Sequence, residues 1–116
     1  MATQRIACGH TPPGATDWKN YPPLSTDTAA TGIYVDVDTT AGKFSSVPAY
    51  VTSIGGSSSH WNTTGATSVY GPNVINTLPT ATGFRVYVRW ASGNNAINKP
   101  VANGFNWHIN WIGMEI

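Results

Sequence analysis

Two alternating stretches in the C-terminal half constrain the fold more than any other feature of the sequence. They cover residues 83–90 and 104–113. Because successive side chains of a strand point to opposite faces, each stretch has one apolar, aromatic face. These faces consist of Phe84, Val86, Val88 and Trp90, and of Phe105, Trp107, Ile109 and Trp111. Two such faces in 116 residues predict a core in which one β-sheet packs on another.

The alternate positions of the same two stretches are polar. They are Arg85, Tyr87 and Arg89 in the first stretch, and His108 and Asn110 in the second. The pattern predicts one polar side that faces solvent, a partner subunit or a ligand. For His108 and Asn110, a subunit interface and a solvated surface both remain open. A small β-protein with such a face is typical of a binding module.

Four further segments have strand character, and turn-forming residues separate them. They are residues 4–8, 32–38, 49–54 and 66–70. Proline and glycine clusters within 11–27 predict a loop-like opening segment, and the stretch 91–103 predicts a polar loop. The sequence therefore predicts an all-β fold, a six-stranded antiparallel β-sandwich without helices, as a single domain over residues 1–116.

Charge and hydropathy argue against two classes of partner. The formal net charge is +1, and the six Lys and Arg residues are spread along the chain, so a nucleic-acid backbone would meet no basic stripe. No apolar run approaches the roughly 20 residues that a membrane-spanning helix needs. The first residues also lack an apolar signal core, so the localisation is left open, with an extracellular or cell-surface site favoured only by function.

The residues for catalysis and metal binding are sparse. The sequence has one Cys and one Glu, and lacks a Gly-x-Ser-x-Gly or phosphate-loop motif, so we expect neither an enzyme nor a cofactor. Asp36 and Asp38 do not belong to an Asp-rich calcium loop. The three histidines lack zinc-ligand spacing. Cys8 has no intrachain partner, and a cross-link between chains remains open.

Four short elements along the chain resemble the H-type lectins, the family of snail agglutinins and of discoidin C-terminal domains. They are residues 5–9 followed by Trp18, Phe44 followed by residues 48–54, residues 82–84 before a strand ending at Trp90, and residues 107–112. The resemblance covers nearly the whole chain. It implies a six-stranded sandwich that assembles as a homotrimer, or a stacked hexamer, and binds galactose or N-acetylgalactosamine glycans near subunit boundaries, as an agglutinin or in adhesion or defence.

The resemblance also implies positions for the sugar site. Asp27 is a candidate for the family's Asp after the first strand, and Trp90 for its aromatic residue. The chain departs from the family pattern in two places: Ala91 and Ser92 follow Trp90 where a His is expected, and residues 62–70 contain no Arg.

Two loops offer the groups that a sugar needs, namely an aromatic face for its C–H groups and polar forks for its hydroxyls. The candidate carbohydrate-binding residues in these loops are His60, Trp61 and Asn62, and Trp90, Ser92, Asn94 and Asn95. The strand parity of Trp90 favours core packing instead, and Trp61 fits either exposed binding or packing at a strand end. The alternative function is an oligomeric structural or adhesive module that binds no sugar.

Overall fold

Two antiparallel sheets form the protein in a computed structural model, which describes residues 5–57, 67–73, 77–91 and 97–116. The strands are β1 (Ile6–His10), β2 (Lys19–Tyr21), β3 (Gly32–Asp38), β4 (Ala49–Gly55), β5 (Thr67–Tyr70), β6 (Gly83–Trp90) and β7 (His108–Met114). A 3₁₀ turn covers Thr40–Gly42, and one short helix, α1, covers Lys99–Gly104. The three-stranded sheet has the order β1-β7-β4, and the four-stranded sheet the order β2-β3-β6-β5.

The predicted all-β, two-sheet architecture is confirmed, and the strand count differs. The bounds predicted for β3 and β6 agree with the structure, and the described ranges contain seven strands instead of six. The additional strand is β2, a three-residue segment that pairs with the start of β3 inside the predicted loop. Its shortness and the prolines that follow it conceal it in the sequence.

The helix α1 also lies where the sequence predicts only a loop. Asn98 caps it, because the Asn98 side chain accepts a hydrogen bond from the Val101 backbone N–H at 3.1 Å. Pro100 occupies the first turn, where its missing N–H has no cost. Phe105 therefore follows a helix and is only partly buried, although the alternating pattern predicts it in the last strand.

The core lies between the two sheets, as the aromatic faces predict. The inward residues of β6 and those from Trp107 to Trp111 are buried. Trp90 meets Trp107 edge to face with ring centroids 5.5 Å apart, and Tyr50 lies 4.6 Å from Phe84 across the sheets. The Tyr50 hydroxyl donates to the Thr80 carbonyl at 2.7 Å, so its polar end is satisfied.

The prediction of one polar side is wrong. β6 belongs to the four-stranded sheet and β7 to the three-stranded sheet, and each turns its alternate residues away from the core. Arg85, Tyr87 and Arg89 therefore lie on one outer face of the sandwich, and His108 and Asn110 lie on the opposite one. The protein presents two separate outer surfaces.

Candidate functional site

Six of the predicted sugar-binding residues lie outside the described parts of the chain. These are His60, Trp61, Asn62, Ser92, Asn94 and Asn95. The other two have different surroundings. Asp27 is exposed, accepts from the Asn20 amide at 2.6 Å and, through its backbone carbonyl, from Asn98 at 3.0 Å. The Trp90 side chain is packed in the core with 9% exposure, as its strand parity favours.

The outer face of the four-stranded sheet contains a groove of about 770 Å³, which we call the tyrosine groove. Its principal lining residues are Tyr21, Gly32, Tyr70, Tyr87 and Arg89. The groove is open along the sheet, and Tyr21 and Tyr70 are 41% and 51% exposed. A ligand at this face would thus meet phenol rings and hydroxyls together.

Strand register brings the tyrosines together. Tyr87 on β6 pairs with Tyr34 on β3 and with Tyr70 on β5, so three phenols form one row across the sheet. The Tyr34 and Tyr87 ring centroids are 5.5 Å apart. Tyr21 on β2 reaches Tyr87 edge to face, also at 5.5 Å. Directly opposed and diagonal side chains of neighbouring strands contact each other in this way, so the rings fix one another's positions.

Gly32 provides the space that this arrangement needs. It lies buried on β3 opposite Tyr21. A Cβ at Gly32 would lie 3.2 Å from Cγ of Arg89 and 3.8 Å from Cβ of Tyr21. The absence of a side chain therefore lets Arg89 and Tyr21 approach each other over the strand.

An ion pair supports the rings at one end of the row. Arg85 donates to both oxygens of Asp36, from Nε at 2.6 Å and from Nη2 at 3.0 Å, and lies 4.8 Å from the Tyr34 ring centroid. The hydrogen bond from Arg85 lowers the pKa of Asp36, and the same bond raises the pKa of Arg85. The Arg85 guanidinium therefore already binds Asp36 and contacts the tyrosine rings.

The edge strand β2 is fastened by one amide. Asn20 accepts from the Lys99 backbone N–H at 2.9 Å and donates to Asp27 and to the Ser25 carbonyl. This amide connects the wall of the tyrosine groove to α1 and to the loop that follows β2. Asp27 thus helps to hold β2, the wall of the groove, through its hydrogen bond from Asn20.

The outer side of the three-stranded sheet is aliphatic, and we call it the aliphatic face. It consists of Ile6, Val51, Ile112 and Met114, whose exposures are 67%, 56%, 45% and 38%. Register places Ile6 opposite Met114, and Val51 opposite Ile112. The exposed Cys8 also pairs with Ile112. Contiguous exposed apolar residues of this kind indicate a contact surface.

The same sheet side becomes polar beyond Ile112. His10 and His108 contact each other with ring centroids 5.9 Å apart, and Asn110 donates to the Ser53 hydroxyl at 3.3 Å. The aliphatic face therefore has a hydrogen-bonding margin. This margin contains His108 and Asn110, the two residues for which the sequence leaves a subunit interface open.

Within residues 5–57, 67–73, 77–91 and 97–116, no three His, Cys, Asp or Glu side chains come together as a metal site. Asp38 accepts from the Thr40 backbone N–H at 2.9 Å, and this bond lowers its pKa. Of the helices in the same ranges, none has the length and apolarity that crossing a bilayer requires.

Comparisons of the chain with protein-family models, with curated proteins and with solved structures gave no significant match. The resemblance to the H-type lectins thus rests on the four sequence elements alone.

Sequence reasoning missed most of the tyrosine groove. Tyr34 and Tyr87 alternate with buried residues in their strands, which places both phenols outward. That signal was present in the sequence, but it does not show that β3 and β6 are neighbours. Tyr21 lies in β2, within the stretch that the sequence predicts to be a loop. The groove therefore depends on a strand order that periodicity does not give.

Proposed function

We propose that the protein is a non-enzymatic carbohydrate-binding module whose ligand lies in the tyrosine groove. The observation that carries this proposal is the row of phenol rings on the sheet, with Tyr21 beside it, in which Tyr21 and Tyr70 are well exposed. Aromatic faces suit the C–H groups of a sugar, and hydroxyl and guanidinium groups suit its oxygens. A volume of about 770 Å³ is in the usual range for ligand sites.

The resemblance to H-type lectins supports the same class of function and suggests the first ligands to test. Galactose and N-acetylgalactosamine glycans are those ligands. The loops that contain His60, Trp61 and Asn62, and Ser92, Asn94 and Asn95, remain candidate contacts in this proposal. Trp90 then contributes by packing beneath the sheet, and Asp27 by holding β2.

Homo-oligomerisation completes the proposal. A second copy of the chain would cover the aliphatic face, whose exposed Ile6, Val51 and Ile112 gain from leaving water. A trimer, or a hexamer of two trimers, follows from the resemblance. Rigidly linked sites raise apparent affinity by roughly 10²- to 10⁴-fold without new contacts. Weak single sites are then sufficient for agglutination or adhesion.

The test is a broad glycan array with labelled protein, followed by competition with the free monosaccharide of any hit. We expect binding that Tyr70→Ala weakens by roughly tenfold or more, because an exposed aromatic contact is lost. Val47→Ala is the matched control, since Val47 is 56% exposed and lies outside the groove. Absence of binding across the array at high protein concentration would refute carbohydrate recognition.

The second candidate is an oligomeric structural or adhesive module without a sugar ligand. The aliphatic face favours it, because exposed apolar residues of this kind suit contact with another protein surface and do not require a sugar ligand. An oligomer that Ile112→Glu dissociates, together with a silent glycan array, would support this module. Glycan binding by the same oligomer would exclude it as the whole function.

A further inference from the structure

The tyrosine groove contains a cation that has no counter-ion. Arg89 is exposed on β6 and has no hydrogen bond or ion pair to any described residue. The chain has five Asp and Glu residues in total. All five are engaged elsewhere: Asp17 with Lys19, Asp27 with Asn20, Asp36 with Arg85, Asp38 with the Thr40 N–H, and Glu115 with Ser45.

The position of Arg89 distinguishes it from an ordinary surface arginine. Its stem lies against Gly32 on β3, and it lines the groove together with Tyr21 and Tyr87. Arg85 lies on the same face of β6, on the other side of Tyr87, and already donates to both oxygens of a carboxylate. The Arg85 guanidinium beside the groove is thus satisfied, whereas the Arg89 guanidinium that lines the groove is free to bind a ligand.

A guanidinium presents paired N–H donors that match a carboxylate or a sulfate better than a neutral hydroxyl. Tyrosine rings beside it provide the contact for the sugar ring that carries the anion. We infer that the tyrosine groove takes an acidic saccharide, whose carboxylate or sulfate binds Arg89 while its ring lies against Tyr21 and Tyr87. This inference rests on the proposed carbohydrate binding and assigns the substrate class.

The experiment compares charged and neutral forms of one sugar by isothermal titration calorimetry with the full chain. The probes are an oligogalacturonate trisaccharide and its methyl ester, which removes the charge and keeps the ring. We expect the acid to bind roughly tenfold or more tightly than the ester, as charge-assisted hydrogen bonds are the stronger ones. A sulfated galactan tetrasaccharide in a parallel titration shows whether sulfate or carboxylate is preferred.

Three variants locate the effect. Arg89→Gln should remove the preference for the acid over the ester, and Arg89→Lys should restore only part of it, because lysine keeps the charge without the fork. Arg5→Gln is the matched control: it removes the same charge from an exposed site before β1 in the other sheet, and should bind like the wild type. Thermal melting confirms that the variants are folded.

The outcomes separate this inference from the proposed function. Equal affinity for acid and ester, or an acid preference that survives Arg89→Gln, overturns the acidic saccharide as ligand. If the array also gives neutral glycan binding that Tyr70→Ala weakens, carbohydrate recognition still stands. If none of the probes binds and the array shows no binding either, both the acidic saccharide and carbohydrate recognition are overturned. Acid preference that is lost in Arg89→Gln and kept in Arg5→Gln supports the inference.

Discussion

The two outer faces of the sandwich are built in the same way and differ in chemistry. Each consists of alternate positions on strands whose other positions fill the shared core. On the four-stranded sheet these positions include tyrosines and an arginine in mutual contact, namely Tyr21, Tyr34, Tyr87 and Arg85. On the three-stranded sheet they are exposed aliphatic residues with a polar margin. One fold therefore carries two surfaces suited to different partners.

The difference lies in how each surface acquires order. The phenols and Arg85 hold one another in place through ring contacts and an ion pair, so the groove is formed before any ligand arrives. Aliphatic side chains have no directional bonds, and their gain comes from the area removed from water. A preformed groove fits a small ligand, and an aliphatic sheet side fits another broad surface.

The largest expected effect concerns the core that both faces share. Trp90→Ala removes a buried indole that packs on Trp107, so we expect the free energy of unfolding to fall by about 3–5 kcal/mol. Chemical denaturation measures the loss, and glycan binding and assembly should decline together with the folded fraction. A Trp90→Ala protein of wild-type stability that lacks only glycan binding would show that Trp90 contacts the ligand instead.

The next prediction tests whether association of the chains depends on the aliphatic face and not on the tyrosine groove. Ile112→Glu places a carboxylate in the middle of the aliphatic face, opposite Val51 and Cys8. An unpaired charge buried at an interface costs about 3–5 kcal/mol, so we expect association to weaken by more than roughly 100-fold. Sedimentation equilibrium measures this, with Tyr70→Glu on the other face as the control. Equal dissociation by both variants would mean that the groove, too, is an interface.

A smaller effect is expected at Gly32, which lines the tyrosine groove. Gly32→Ala brings a Cβ to 3.2 Å from Cγ of Arg89 and to 3.2 Å from the Val88 carbonyl oxygen, so the arginine and the neighbouring strand must shift slightly. We expect glycan affinity to fall roughly three- to tenfold with assembly unchanged. Gly104→Ala is the control, because a Cβ there meets nothing within 4 Å. Unchanged binding in titrations with Gly32→Ala would place the ligand outside the groove.

The smallest expected effect is the pH dependence of the stability that the Arg85–Asp36 ion pair contributes. Arg85 lowers the pKa of Asp36 below 3.8, so the folded state binds the carboxylate proton less tightly than the unfolded state. The pair therefore stabilises the fold above pH 3.8, and this contribution is lost as the pH falls through the lowered pKa. Asp36 is 53% exposed, so the gain is under about 1 kcal/mol.

Asp36→Asn provides the measurement for that pair. The difference in unfolding free energy between wild type and variant, from urea titrations, should be largest near neutral pH and vanish in acid. A difference that stays constant with pH would show that Asp36 acts by packing or neutral hydrogen bonding. The aliphatic face has no such pair, so Ser53→Ala should show no comparable change below pH 5.

The sequence predicted the strands with regular alternation and missed the features that depend on neighbours. β3 and β6 were predictable because Val35 and Val86 alternate with polar residues along complete strands. β2 was not, because three residues give no period, and its pairing with β3 is a tertiary effect. The groove needs β3 beside β6 and Gly32 beside Arg89, and alternation along one strand contains neither relation.

The central position of β7 has a consequence for synthesis of the chain. β7 lies between β1 and β4, so the three-stranded sheet needs residues near both ends of the sequence, as the pairing of Ile6 with Met114 shows. The strand pairs of the four-stranded sheet all lie within residues 19–90, and only the Asn20 contact with Lys99 of α1 is added later. A nascent chain can therefore pair the strands of the tyrosine groove first, whereas the ladder beneath the aliphatic face closes only when the last strand has left the ribosome.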